Sequence, residues 1–155
     1  MLFRSARPVL DSFAGTIVHV AGPGTGQVAK LANNLSVLQT YVGVQEAFEL
    51  ATRYGVDPAT LLEVLSAATA NSHTLQTRAP VAGLQPKSPA SNDWKPGFAT
   101  DMMAKDIDLA LQAAEGVELE VAGTELGRAL LGIAQQAGLG DEDFSALAKL
   151  MHRKV

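Results

Sequence analysis

Lys30 stands in Val28-Ala-Lys30-Leu-Ala, with Asn33 and Asn34 three and four residues on. On a helix these positions share one face, so an amine and two carboxamides project toward the same neighbourhood. An amine held among apolar groups loses hydration in its charged form and exchanges protons more readily near neutrality, and a carboxamide both donates to and accepts from oxygen atoms. Together they suit proton transfer to or from a hydroxyl that becomes a carbonyl. Pattern alone equally allows a lysine that reaches solvent beside a helix-capping amide.

A second group lies about 75 positions further on, in Gly97-Phe98-Ala-Thr-Asp101-Met-Met-Ala-Lys105-Asp106-Ile-Asp-Leu-Ala110. Taken by itself, Asp101 with Lys105 is a possible exposed i, i+4 ion pair worth a few tenths of a kcal/mol. His19, His73 and His152 lack metal-ligand spacing and read as structural or surface residues. Ser36, Ser66 and Ser72 stand outside any G-x-S-x-G context, so no serine hydrolase is indicated.

These groups must be carried by helices. Residues 27–54 are continuously compatible with helix, about 40 Å long at 1.5 Å per residue, with apolar side chains on more than one face; burial along much of that length is expected. Gly55 closes this helix, and Asp57-Pro58 opens a short amphipathic one over 58–68. A helical turn follows over 71–78, and 80–97, with four prolines, is a loop long enough to suggest function. Helices over 101–115 and 118–137 come next, closed by Gly138 and Gly140, and Asp141 caps a last amphipathic helix. Thr16-Ile-Val-His-Val20 is β-branched and runs into Gly22-Pro-Gly24, so it reads as one short strand ahead of the helices. One strand and five or six helices cannot build a crossover sheet, and the class is all-α.

Composition narrows the field. The chain has 155 residues, 47% hydrophobic, with a net charge of −4 and no basic run, which argues against a nucleic-acid partner. No cysteine is present, so disulfides, zinc-thiolate sites and thiol nucleophiles are excluded, in keeping with a reducing cytoplasm. The charge-free stretch 12–29 is broken by glycines and a proline, so no membrane partner is expected. Arg4 and Arg7 could open a transit segment, but Asp11 and the strand-like residues behind it count against that.

The spacing of Gly24-Thr-Gly26-Gln-Val-Ala-Lys30-Leu-Ala-Asn33-Asn34 resembles the G-x-G-x-x-x-K-x-x-N-N signature that opens the long interdomain helix of the β-hydroxyacid dehydrogenase family. The Gly97-Phe98 to Ala110 segment is similar to a second element of that family, and Pro89-Ala-Ser-Asn92 with Met103-Ala-Lys-Asp106 is similar to its 3-hydroxyisobutyrate dehydrogenase branch. The resemblance covers roughly residues 13–151. It implies a helical bundle like the C-terminal domain of 6-phosphogluconate dehydrogenase, with 24–155 as substrate-binding and dimerisation domain and 1–23 as the remnant of a last nucleotide-domain strand and turn.

By the same resemblance Lys30 is the catalytic acid/base, Asn34, Asn33 and Phe98 bind substrate, Lys105 and Asp106 contact the cofactor, and no metal is needed. The implied cofactor is NAD, with NADP as the alternative. The implied substrate is a short 3-hydroxy acid, 3-hydroxyisobutyrate going to methylmalonate semialdehyde, and the implied assembly a homodimer or homotetramer. The G-x-G-x-x-G turn that would hold a dinucleotide does not occur, so this chain alone is expected to be inactive. The competing reading is a non-catalytic helical module that self-associates.

Overall fold

The computed structural model describes residues 2–151. Seven helices follow in order: α1 (Leu2–Leu10), α2 (Thr25–Arg53), α3 (Pro58–Ala67), α4 (His73–Arg78), α5 (Thr100–Glu115), α6 (Ala122–Gln136) and α7 (Ala148–Met151). Single 3₁₀ turns stand at Pro89–Ser91 and Phe144–Leu147. The all-α expectation holds.

The expected strand over residues 16–20 does not form. A strand needs a neighbour to complete its ladder, and among the described residues none lies alongside; Val18 and Val20 are 73% and 50% exposed. Residues 2–10 form a helix that sequence reasoning left unassigned, with Pro8 inside it and Arg7 Nε donating to Asp11 Oδ1 at 2.8 Å.

Helix α2 is the axis of the molecule. Asn34, Leu38, Tyr41, Gln45 and Phe48 are its buried stripe, repeating every three or four residues as a single helix face requires. Burial was expected along much of the helix, yet it begins only at Asn34: the turns before it stand clear of the bundle, with Val28 56% exposed. At the other end Gly55 takes φ +84°, its N–H reaches Thr52 O at 2.9 Å, and Val56 N–H reaches Ala51 O at 3.0 Å. This pair of bonds satisfies carbonyls that the helix end would otherwise leave open. Asp57 then accepts from Thr60 N at 2.9 Å and starts α3 behind Pro58.

Helices α5 and α6 pack on α2 around Leu38, Tyr41, Met103, Ile107, Leu131 and Phe144. A smaller group, Val44, Phe48, Leu75 and Ala79, joins α2 to α4, with Leu61, Leu62 and Leu65 of α3 against it. At the α2–α6 crossing Gly127 has no room for a side chain: a Cβ there would lie 2.8 Å from Cδ2 of the wholly buried Leu38. Helix α6 starts at Ala122, four residues later than expected from position 118, because Glu118 adopts φ +55° and breaks the run.

The C-terminal segment departs furthest from expectation. Asp141 caps nothing among the described residues. Asp143, fully buried, caps a 3₁₀ turn through Ser145 N at 3.1 Å, and among the described residues α7 (four residues) follows. The same carboxylate accepts Ser145 Oγ at 2.6 Å, Gly97 N at 3.0 Å, Phe98 N at 3.1 Å and Arg78 Nε at 3.2 Å. It thereby ties the end of loop 80–97 to α4 and to the 3₁₀ turn at Phe144–Leu147. Beside it the Tyr41 hydroxyl, donating to Ser145 O, is pushed far above its ordinary pKa by burial and then by the Asp143 charge.

Candidate active site

Two helices well separated in the sequence, α2 and α5, meet at one carboxylate. Asp106, on the inner face of α5, is 2% exposed. Its Oδ2 accepts from Lys30 Nζ at 2.5 Å and from Asn34 Nδ2 at 2.8 Å, both on α2. Lys105 Nζ lies 3.3 Å from Oδ1, an ionic contact without a formed hydrogen bond, so Oδ1 is a buried acceptor with no donor. Asn33 joins at one remove, its Nδ2 donating to Asn34 Oδ1 at 3.3 Å.

The local reason lies in helix geometry. Lys30 and Asn34 are one turn apart on α2, where the helix passes from the exposed overhang into the bundle. Lys30 keeps half its side chain in solvent while Asn34 is buried. On α5, Asp106 falls in the buried stripe with Met103, Ile107 and Ala110, so its carboxylate must face α2.

A charge placed there survives only if paired. Burial alone would push the Asp106 carboxyl upward, but the contacts and charges of Lys30 and Lys105 outweigh it and hold the group below its ordinary range. The expectation of an amine walled by apolar groups is corrected on this point. What meets Lys30 is a buried carboxylate, whose same oxygen a carboxamide also holds, and half of the lysine side chain is open to solvent.

Of the residues singled out from sequence, Lys30, Asn33, Asn34, Lys105 and Asp106 are brought together. Lys105 turns to Asp106 rather than to Asp101, which instead accepts from Gln135 Nε2 at 2.7 Å. Phe98 stands apart, just before α5 and more than a helical turn from Asp106, its ring 6.1 Å from that of Phe144 in an edge-on arrangement. His19 stacks on Phe3 at 4.4 Å, and His152 lies outside the described residues. Sequence reasoning gave Asp106 a cofactor contact and missed that it joins Lys30 to Asn34. Its neighbour Lys105 and its place in an apolar stripe were the available signals. No helix among the described residues is long and apolar enough to cross a membrane.

The arrangement defines a helical domain that offers a lysine and a carboxamide, both braced on one buried carboxylate, at the foot of a projecting helix. Residues 24–151 match the family described as NAD-binding of NADP-dependent 3-hydroxyisobutyrate dehydrogenase. The chain belongs to this family of NAD-binding domains, within the β-hydroxyacid dehydrogenases.

Among relatives, a probable 3-hydroxyisobutyrate dehydrogenase of Mycobacterium tuberculosis is 44% identical over 110 residues, 71% of this chain and 37% of that protein. The 3-hydroxyisobutyrate dehydrogenase of Pseudomonas aeruginosa is 37% identical over 154 residues, 98% of this chain and 52% of its own length. A solved structure of Mycobacterium tuberculosis 3-hydroxyisobutyrate dehydrogenase with L-serine superposes with a TM-score of 0.92 at 36% identity, covering 97% of this chain and 52% of that one. This chain therefore spans about half the length, or less, of the relatives it matches.

Proposed function

We propose that this chain is the proton-handling, substrate-binding half of an NAD(P)-dependent dehydrogenase that oxidises a short 3-hydroxy acid, 3-hydroxyisobutyrate to methylmalonate semialdehyde. Residues 24–155 form the helical domain, and 1–23 lead in from the half that carries the nucleotide. The observation that supports this most directly is the convergence of Lys30 and Asn34 on Asp106.

The donor set fits such a ligand. Two ammonium groups face a single carboxylate, which leaves one positive charge over, and a hydroxy acid brings one negative charge. L-serine, bound in the Mycobacterium tuberculosis structure, is itself a 3-hydroxy acid. Lys30 gives one hydrogen to Asp106 and keeps the rest of its amine free for the substrate oxygen. Asn34 gives one amide hydrogen to Asp106, and its second can orient the same substrate. Lys105, half exposed beside them, approaches the cofactor. When bound, the nicotinamide supplies the hydride acceptor. For the oxidation Lys30 acts as the neutral amine: its nitrogen takes the hydroxyl proton as the carbon–hydrogen bond breaks and becomes the ammonium, and in the reverse direction the ammonium returns that proton. Asp106 holds the amine on line. Self-association through the helical faces, as homodimer or homotetramer, completes the proposal.

The test is Lys30→Ala in a protein that unites this chain with its nucleotide-binding half. Turnover should fall by about 10²-fold or more, the scale of lost acid/base catalysis. Turnover near that of the unaltered protein refutes the role.

A further inference from the structure

The loop that ends at Gly97 borders an open cleft of about 500 Å³ that Arg78 also lines. Three cations line it, Arg78, Lys87 and Lys95, and no carboxylate does. In a chain of net charge −4 this is a local reversal of sign.

Arg78 is not an ordinary surface arginine. Its side chain is 19% exposed, its guanidinium carbon lies 5.0 Å over the Phe144 ring, and Nε donates to Asp143. Asp143 also accepts four further hydrogen bonds, from Ser145 N and Oγ, Gly97 N and Phe98 N. Its charge is thus largely satisfied without Arg78. The two η nitrogens of Arg78 have no hydrogen-bond acceptor among the described residues, and a Cβ on Gly97 would lie 3.5 Å from Nη2 and 3.6 Å from Asp143 Oδ2, whose charge the four other donors share. A planar donor fork is held in place at the cleft, with its ordering cost already met by the fold.

The rim is braced as well. Asn92 Nδ2 donates to Pro86 O at 2.8 Å and to Ser88 O at 2.9 Å, on either side of Lys87, and Lys95 N donates to Asn92 O at 2.9 Å. With Pro86, Pro89 and Pro96 in the same wall, the two lysines stand on stiff backbone. One carbonyl of α4, Leu75 O, is taken up by Gln85 Nε2 at 3.0 Å.

The geometry points to a binding site for a small phosphate dianion or phosphate monoester, received by Arg78 and flanked by Lys87 and Lys95. A bidentate guanidinium contact and two point charges match two negative charges over three oxygens better than they match a monocarboxylate. Because Arg78 and Gly97 share Asp143, occupancy is felt at the loop that carries Phe98, separate from the Lys30–Asp106 pair.

The test titrates inorganic phosphate into the full chain at constant ionic strength, following the Gly97 amide and Arg78 Nε–H signals by nitrogen-15 NMR, with sodium acetate as a parallel arm. Saturable shifts with phosphate and none with acetate are expected. The double variant K87A/K95A, which removes only exposed side chains, should weaken phosphate by about tenfold with an unchanged melting temperature. Linear unsaturating shifts, equal response to acetate, or undiminished phosphate binding in the double variant each overturn the assignment.

Discussion

Asp106→Asn probes the site through stability, without needing the nucleotide-binding half. The substitution keeps the shape and one acceptor oxygen but turns the other into a donor and removes the charge that faces Lys30 and Lys105. Removing one partner of a fully buried ion pair costs about 3–5 kcal/mol, because the survivor is left charged and dry. Here both lysines are half exposed, at 50% and 55%, so water takes over most of what the carboxylate supplied. The expected loss is therefore about 1–2 kcal/mol at pH 7, or roughly 2–8 °C in melting temperature for a chain of this size.

The pH dependence follows from the depressed carboxyl of Asp106. A group ionised more readily in the folded state contributes stability above its unfolded pKa, near 3.9, and loses it as pH falls through the lower folded value. Thermal melts of the two proteins, followed by circular dichroism from pH 7 to pH 2, should differ by a constant gap down to about pH 4. That gap should then close as Asp106 in the unaltered protein takes up its proton. Other carboxylates titrate in both proteins and cancel from the difference. A gap that persists to pH 2, or one that opens only in acid, refutes the assignment of a charged Asp106 beneath two lysines.

Glycine substitutions test the packing. Gly43→Ala, on the exposed side of α2 with nothing within 4 Å, should raise stability by about 0.5–1 kcal/mol through helix propensity alone. Gly127→Ala should lower it despite the same propensity gain, because Leu38 cannot move aside and overpacking costs about 1–3 kcal/mol; urea unfolding of the pair compares the two signs directly. Asp143→Ala should cost about 3–5 kcal/mol, since it strands Arg78 and frees the Gly97 and Phe98 amides. Limited proteolysis should then cut within 80–97 far faster, whereas an unchanged cleavage rate shows that the loop does not depend on this carboxylate.

What the sequence disclosed was local. The Asp57-Pro58 start of α3, the left-handed Gly55 and Gly138, and the long run of α2 each follow from neighbours within a few positions. The Lys30 and Asn34 face was legible for the same reason. The link from Lys30 to Asp106 crosses 76 positions and that from Arg78 to Asp143 crosses 65, and periodicity says nothing at such range. The strand over 16–20 was misread because β-branched composition reports a preference that only a paired neighbour can realise. The late start of α6 reflects one backbone angle, at Glu118, that side-chain patterning does not reveal.

Lys30 and Asn34 both address one and the same oxygen, Oδ2 of Asp106. Divergence at this spot is consequently epistatic. A change at 30, 34 or 106 alters the ground on which the other two were selected, so lineages should exchange these residues in concert or leave them alone, and effects of single substitutions should not sum.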